Sequence, residues 1–360
     1  MKKTRWGVGL AIFALLLPIM DLAAQEDDPP QNEGITVVGT IVNKNREGSV
    51  PEGLSIMMHA WDQTGSARGM VHGESGPGAR FAFENFVVEA DVFYAVMVIY
   101  QDATYVSEPS VIQEDGGLLP FNVEIYETGK DLSGVKIDLL QIIIGNSQGG
   151  LSVAEIYGLS NQGERTVAEA VTLSDGRDAT IKFTLPEGAA SVQFPGSSDD
   201  RFVTFPGGFA DQKPLVPGEG SGQIFVSYIL VYEDGISLTR SVPFDTSSVK
   251  LFIPHESGLS FVPNGAEYVG IQTSGVDEAY EQYSLGSLMA GEEYTLTLTG
   301  SLETPEIQSM TPSSENASIN NEILIGLVVL GIVLISIGIW WWRRDLLEDD
   351  FEDEEPLLDA

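Results

Sequence analysis

Tyr294-Thr295-Leu296-Thr297-Leu298-Thr299 alternates without a fault. Tyr294, Leu296 and Leu298 fall on one side of an extended chain, and the three threonines fall on the other. Successive side chains of a strand point to opposite faces, so this stretch reads as a half-buried β-strand. Residues 93–100 have another texture, apolar at both sets of alternate positions: Phe93, Ala95, Met97 and Ile99 against Tyr94, Val96, Val98 and Tyr100. A strand covered on both sides reads that way.

Outward from these two, short strands recur between Gly, Pro, Asp and Asn turns. Before residue 130 the candidates are 36–42, 54–62, 80–83, 93–100 and 118–125. Beyond it they are 135–144, 151–160, 179–185, 223–232, 236–244, 249–253, 268–273 and 294–299. Residues 64–78, with Gly65, Gly69, Gly73, Gly76 and Gly78, read as a long flexible loop. Residues 192–222 read as long loops around one short strand at 201–205. No amphipathic helix is visible between residues 25 and 301. The 39 glycines and 18 prolines suit many strands joined by tight turns. The fold class that follows is all-β: a tandem β-sandwich of the Ig-like or prealbumin-like kind, plus one C-terminal transmembrane helix.

Both ends are hydrophobic, in different ways. Lys2, Lys3 and Arg5 precede an apolar run over 6–20, and Leu22-Ala23-Ala24 then offers small residues before Gln25. That is the charged region, apolar region and cleavage site of a secretory signal peptide, 1–24, cut after Ala24. A retained N-terminal anchor is the alternative. Residues 25–34 read as a flexible leader.

Near the other end, in the expected span 322–342, residues 323–342 are apolar on every face, Ser336 being the polar exception among their aliphatic residues and tryptophans. Twenty helical residues rise about 30 Å, one hydrocarbon thickness. Trp340, Trp341 and Trp342 stand at the interface end, and Arg343 and Arg344 follow as the positive-inside stop. The expected orientation puts the N-terminal ectodomain outside, periplasmic or extracellular, and the C-terminus in the cytoplasm. Gly331 and Gly338 share a helix face without a G-x-x-x-G pattern, a weak hint of helix pairing. Residues 301–321 form a Thr/Ser/Pro/Glu/Asn stalk, which as flexible coil spans about 25 Å. Its Asn316-Ala317-Ser318 is a glycosylation triplet.

The chain of 360 residues carries 18 basic and 53 acidic side chains, a net charge of −35. Residues 1–24 hold three bases and one acid, and 343–360 hold two bases and nine acids. The remaining 13 bases and 43 acids leave the portion between at −30. Such a surface repels phosphate backbones, which excludes nucleic acid as a partner. Cysteine is absent. Disulfides, thiol nucleophiles, Cys-based zinc and iron–sulfur sites and lipoprotein acylation go with it. A large ectodomain without disulfides fits a bacterial envelope better than an animal cell surface.

Four stretches in order carry a family likeness: Gly39-Thr40-Ile41-Val42-Asn43, Pro51-Glu52-Gly53-Leu54-Ser55-Ile56, Gly78-Ala79-Arg80-Phe81-Ala82-Phe83-Glu84-Asn85-Phe86 and Tyr94-Ala95-Val96-Met97-Val98. In this order they resemble the carboxypeptidase-regulatory-like (transthyretin-like) β-sandwich family. The resemblance implies such a sandwich over 35–130 and a non-catalytic accessory fold, with no active-site residue to carry over. It departs from the family at 64–77, where a short turn is replaced by the glycine-rich insertion. A second β-rich domain is expected over 131–300, with no family likeness, as one sandwich or two.

Gly145-Asn146-Ser147-Gln148-Gly149 has the G-x-S-x-G spacing of a nucleophile elbow, which needs a strand before it and a helix after it. Leu151, Val153 and Ile156 continue in strand fashion, so a hairpin is expected, and His255 is the one histidine downstream. A membrane-bound hydrolase using Ser147 or a carboxylate pair is therefore the alternative function. His59, His72 and His255 are all the histidines, and no two stand at ligand spacing in the sequence. His59 shares a strand face with Met57 and Trp61 and reads as packing. His255-Glu256 lacks the second histidine of a zincin. Glu114-Asp115, Asp199-Asp200 and Glu233-Asp234 sit at turns, and none makes a D-x-[DN]-x-[DN]-G calcium loop. A calcium or small-molecule ligand on separate loops stays open and unsupported.

No catalytic, cofactor-binding or metal-ligating residue is assigned, and no cofactor is expected. The tail 343–360 reads as a solvated acidic stub. Asp353-Glu354-Glu355-Pro356-Leu357-Leu358 would be a dileucine-type signal in a eukaryotic type I membrane protein, the third reading. The favoured expectation is a binding, adhesion or assembly module of the bacterial cell envelope. It would be held by one membrane span and would meet an envelope protein partner.

Overall fold

The computed structural model describes residues 35–301, except 46–49, 88, 90–91, 112–119, 148–149, 199, 263–264 and 274–278. The signal peptide with Ala24, the leader, the transmembrane segment with Trp340, Trp341, Trp342, Arg343 and Arg344, the tail, and all but the first stalk residue lie outside them. Among the described residues no helix is long and apolar enough to cross a membrane.

The first half contains β1 (Ile35–Asn43), β2 (Ser55–Asp62), β3 (Ala67–Glu74), β4 (Arg80–Phe86) and β5 (Val92–Tyr100). It continues with β6 (Ala103–Val106), β7 (Ser110–Val111) and β8 (Phe121–Ile125). One sheet runs β4-β1-β8; the other runs β3-β2-β5-β6, with β7 also on β5. Val37, Ile41, Phe81, Phe83, Val123 and Ile125 from the first meet Ile56, Met58, Tyr94, Val96 and Val98 from the second in one apolar core. Gly39 is required where β1 is squeezed between its neighbours. A Cβ there would lie 2.1 Å from the Phe81 ring and 2.5 Å from the Phe121 carbonyl oxygen.

Two expectations are corrected in this half. Residues 67–74 are not loop but strand, paired with β2 from Ser55↔Glu74 to Trp61↔Ala67. Gly69, Val71 and Gly73 oppose the core-facing Ala60, Met58 and Ile56; of the two glycines Gly73 serves close packing, while a Cβ on Gly69 would meet nothing within 4 Å. A Cβ on Gly73 would stand 3.0 Å from Phe83. The second correction concerns β5. Tyr94, Val96, Val98 and Tyr100 are core, but on the other face Phe93 and Met97 are only half-buried and Ile99 is exposed. Stacking with Trp61, at 6.4 Å between ring centroids, shelters Phe93. The strand at 118–125 begins at Phe121.

The link β9 (Thr128–Gly129) leads to β10 (Val135–Ser147) and β11 (Gly150–Asn161). Short pieces follow: β12 (Thr166–Val167), β13 (Val171–Thr172), β14 (Asp178–Ala179), β15 (Ile181–Thr184), β16 (Ala190–Gln193), β17 (Phe202–Phe205) and β18 (Gly208–Asp211). Then come β19 (Gly218–Val231), β20 (Ile236–Ser241), β21 (Thr246–Pro254), β22 (Leu259–Val262), β23 (Glu267–Thr273), β24 (Ala279–Leu288) and β25 (Glu293–Gly300). Seven strands make the sheet β16-β19-β11-β10-β21-β24-β23, faced by β15-β18-β17 and β20-β25-β22.

A single core from Val135 to Leu298 joins these sheets, with Ile142, Ile144, Val153, Val226, Leu251, Phe183, Phe209, Leu296 and Leu298 in it. Tyr294, Leu296 and Leu298 are the buried side of β25, as the opening alternation requires. The stretch 192–222 holds more strand than expected. β17 pairs with β18 across Pro206-Gly207, and β19 starts at Gly218.

Candidate functional site at the junction of the two cores

Ser147 ends β10 and pairs with Gly150 at the start of β11, so strand follows strand and the helix of a nucleophile elbow does not form there. β10 runs parallel to β21 in the register Ile143↔Phe252. His255 stands in the turn after β21, which ends at Pro254. Its Nδ1 lies 3.2 Å from Glu281 Oε1. His59 and His72, separate in sequence, come onto one face of the β2–β3 hairpin. Asp234 accepts the Gly300 N–H at 2.8 Å, tying its turn to the end of β25. Glu114-Asp115 and Asp199 lie outside the described residues. Among the described residues no three His, Cys, Asp or Glu side chains gather as a metal site.

The sequence reading passed over a buried ionic cluster. Glu155 on β11 is 1% exposed and Arg240 on β20 is 7% exposed. Arg240 donates through Nη1 to Glu155, and through Nη2 to the Thr184 carbonyl at 2.7 Å. Glu155 also accepts the hydroxyls of Tyr157 and Tyr228. Burial, with Glu155 next to them, pushes both tyrosines well above their ordinary value. Burial opposes the Arg240 charge, yet Glu155 and the surrounding tyrosines leave it above its ordinary value. Glu155 on β11, Arg240 on β20 and the Thr184 carbonyl on β15 come from three different sheets, so this cluster joins the three sheets of the second core. A lone carboxylate inside the apolar run of 151–159 was its only sequence signal.

Open chemistry gathers instead where the two cores meet. β9 and β12 form a parallel ladder, Thr128↔Thr166 and Gly129↔Val167. Tyr105 donates its hydroxyl to the Tyr126 carbonyl at 2.7 Å, so at the 2.7 Å contact with Thr166 the threonine is the donor. Asn45 reaches across to the Glu164 carbonyl at 2.8 Å. Glu127 receives Asn43 (2.9 Å), Tyr100 (2.9 Å) and Gln101 (2.8 Å). Asn161 holds the far side by donating to the carbonyls of Arg165 and Leu215.

A cleft of about 560 Å³ opens beside this brace, with Tyr105, Glu108, Asn122, Glu124 and Tyr126 from the first half and Val216-Pro217 from the second in its wall. Lys44, hydrogen-bonded at 2.9 Å, holds Glu124 below the usual carboxylate range. Burial raises Tyr126 and Tyr105. Tyr105, Asn122 and Glu124 on β6 and β8, with Glu108, Tyr126 and Val216-Pro217 from the segments beside them, offer hydrogen-bond acceptors and flat apolar surface.

No family model matches the sequence. No curated protein matches it. Among solved structures, the full-length major pilin RrgB from Streptococcus pneumoniae matches with 9% identity and a TM-score of 0.17, covering 77% of this chain and 65% of that one. A second full-length structure of the RrgB pilus protein from the same organism gives 10% identity and a TM-score of 0.15, covering 78% and 64%. The chain thus spans a little under two thirds of the length of these pilins. A superposition this loose gives no residue-to-residue correspondence.

Proposed function

We propose that this chain is a non-catalytic binding and assembly module of a bacterial envelope, held outside the membrane by the span at 322–342 and raised on the stalk 301–321. The observation that carries the reading is the braced junction. Two cores are fixed to each other by side-chain bonds, and recognition chemistry from both halves lies in the cleft beside the brace. Rigid scaffolds that present such clefts and loops are built to bind. Acidity over the whole surface favours a partner with a basic or neutral contact face.

The test uses the absence of native cysteine. Single cysteines at Asn122 (cleft) and Ser237 (exposed on β20 of the other core, control) in the full-length protein are crosslinked in native membranes with an impermeant reagent and read by mass spectrometry. The reading expects one recurring envelope protein joined through Asn122→Cys and not through Ser237→Cys. No adduct at Asn122→Cys, or the same adducts at both positions, would retire the cleft as the contact site. Turnover of an ester or glycoside by the purified protein, abolished by Ser147→Ala, would replace the reading with the hydrolase.

A further inference from the structure

The hairpin register brings together side chains that the sequence keeps apart. On the outward face of the β3-β2-β5 sheet, Met57 lies directly opposite both His72 and Met97. One pair along, His59 lies directly opposite Met70 and Ala95. Three strands thus present His72, Met57 and Met97 in one row and Met70, His59 and Ala95 in the next. Directly opposed Cβ atoms on antiparallel strands stand about 4.5–5.5 Å apart, and diagonal neighbours about 7–8 Å, within reach of long side chains. Met70 and His72 are exposed, and Met57, His59 and Met97 are half-buried, so the donors face outward and stay accessible.

The composition of this patch is far from chance packing. It holds two of the chain's three histidines and three of its eight methionines, in a protein with 53 acids. No carboxylate stands within the two rows; Glu74, opposite Ser55, is one pair further along. The core does not need these side chains, since Ile56, Met58, Val96 and Val98 on the inward face supply it.

We propose that this face is a binding site for a soft monovalent metal ion of the copper(I) class, with Met57, Met97 and His72 as the central donors and His59 and Met70 beside them. Thioether sulfur selects copper(I) over hard cations, and imidazole joins it readily. Zinc, calcium and magnesium favour donor sets with thiolate, more imidazole or carboxylate. The surrounding negative charge concentrates cations at the surface without supplying hard ligands to the patch. The site goes beyond the binding-module reading and stands or falls independently of it.

The test is titration of the full-length protein in detergent with silver(I), a redox-inert probe for copper(I), followed through its methionine methyl resonances. Met57, Met70 and Met97 are expected to shift together at low silver, while Met58, buried on the other face, and the exposed Met289 stay in place. Met57→Leu with Met97→Leu keeps the apolar volume and should abolish the shift of Met70. His72→Asn, at an exposed position, should weaken binding without lowering the melting temperature. Zinc(II) at the same concentration should leave all the methyls unmoved. The proposal is overturned if silver leaves the three methyls in place, if Met289 moves as readily as they do, if the double variant responds like the native chain, or if zinc produces the same shifts.

Discussion

Glu155 shows how single residues set the terms here. Its carboxylate is sealed among Arg240, Tyr157 and Tyr228. Removing one partner of such a pair leaves an uncompensated buried charge, so Glu155→Ala is expected to cost about 3–5 kcal/mol in urea unfolding. Replacing Glu155 and Arg240 together by Leu and Met should cost far less, because no orphan charge remains. The tyrosines add a pH dependence. Tyr157, Tyr228 and Tyr294 sit above their ordinary value of 10.0, chiefly through burial, so the folded state keeps protons that the unfolded chain loses. Their contribution is complete below about pH 10 and falls as the pH rises beyond it, by roughly 1.4 kcal/mol per pH unit for each tyrosine. Tyr294→Phe should flatten that alkaline loss, as read from urea midpoints at about pH 8 and about pH 11. None of this was legible beforehand, because a carboxylate and an arginine 85 residues apart carry no joint signal until β11 and β20 face each other.

Elements were legible where alternation was strong and lost where glycine mimicked loop. β25 and β5 follow from their side-chain pattern, and β10 and β11 from their length and apolarity. β3 does not, because Gly69 and Gly73 carry no side chain to declare a face, and the packing role of Gly73 exists only against Phe83. β24 was missed because its polar Glu281, Gln282 and Ser284 blur the pattern. The same logic makes Gly39→Ala a sharp test. Its Cβ would meet a backbone oxygen at 2.5 Å that cannot turn aside. Overpacking of this kind costs about 1–3 kcal/mol, and a fall in melting temperature with intact β-sheet circular dichroism is expected. The patch of Met57, His59, Met70, His72 and Met97 belongs to this scale as well. Its hint in the sequence was the i, i+2 spacing of Met57 with His59 and of Met70 with His72, but only the hairpin register joins the two pairs.

At the scale of the whole molecule, two cores are tied by the ladder of β9 with β12, by Tyr105 with Thr166 and by Asn45 with the Glu164 carbonyl. Asn161, within the second half, holds the segment that carries β12, and Asn161→Ala strands the Arg165 carbonyl and the Gly163 N–H while the Leu215 carbonyl keeps the Val167 N–H, at about 1–3 kcal/mol for the unsatisfied groups. Calorimetry should then show the two cores melting further apart than in the native chain; an unchanged profile would mean that the brace does not couple them. The link at 128–130 was visible in the sequence only as a gap between strands, and its ladder partner at 166–167 not at all, since two-residue strands leave no periodicity. The proposed placement of this rigid pair outside a membrane rests on the two hydrophobic ends of the chain, and impermeant maleimide labelling of intact cells tests it most directly. Single cysteines are placed at Ser237, in the second core, and at Ala360, at the end of the acidic tail. The account predicts that Ser237→Cys is labelled from outside and that Ala360→Cys is labelled only after the membrane is opened. Labelling of Ala360→Cys on intact cells, or protection of Ser237→Cys, would contradict it.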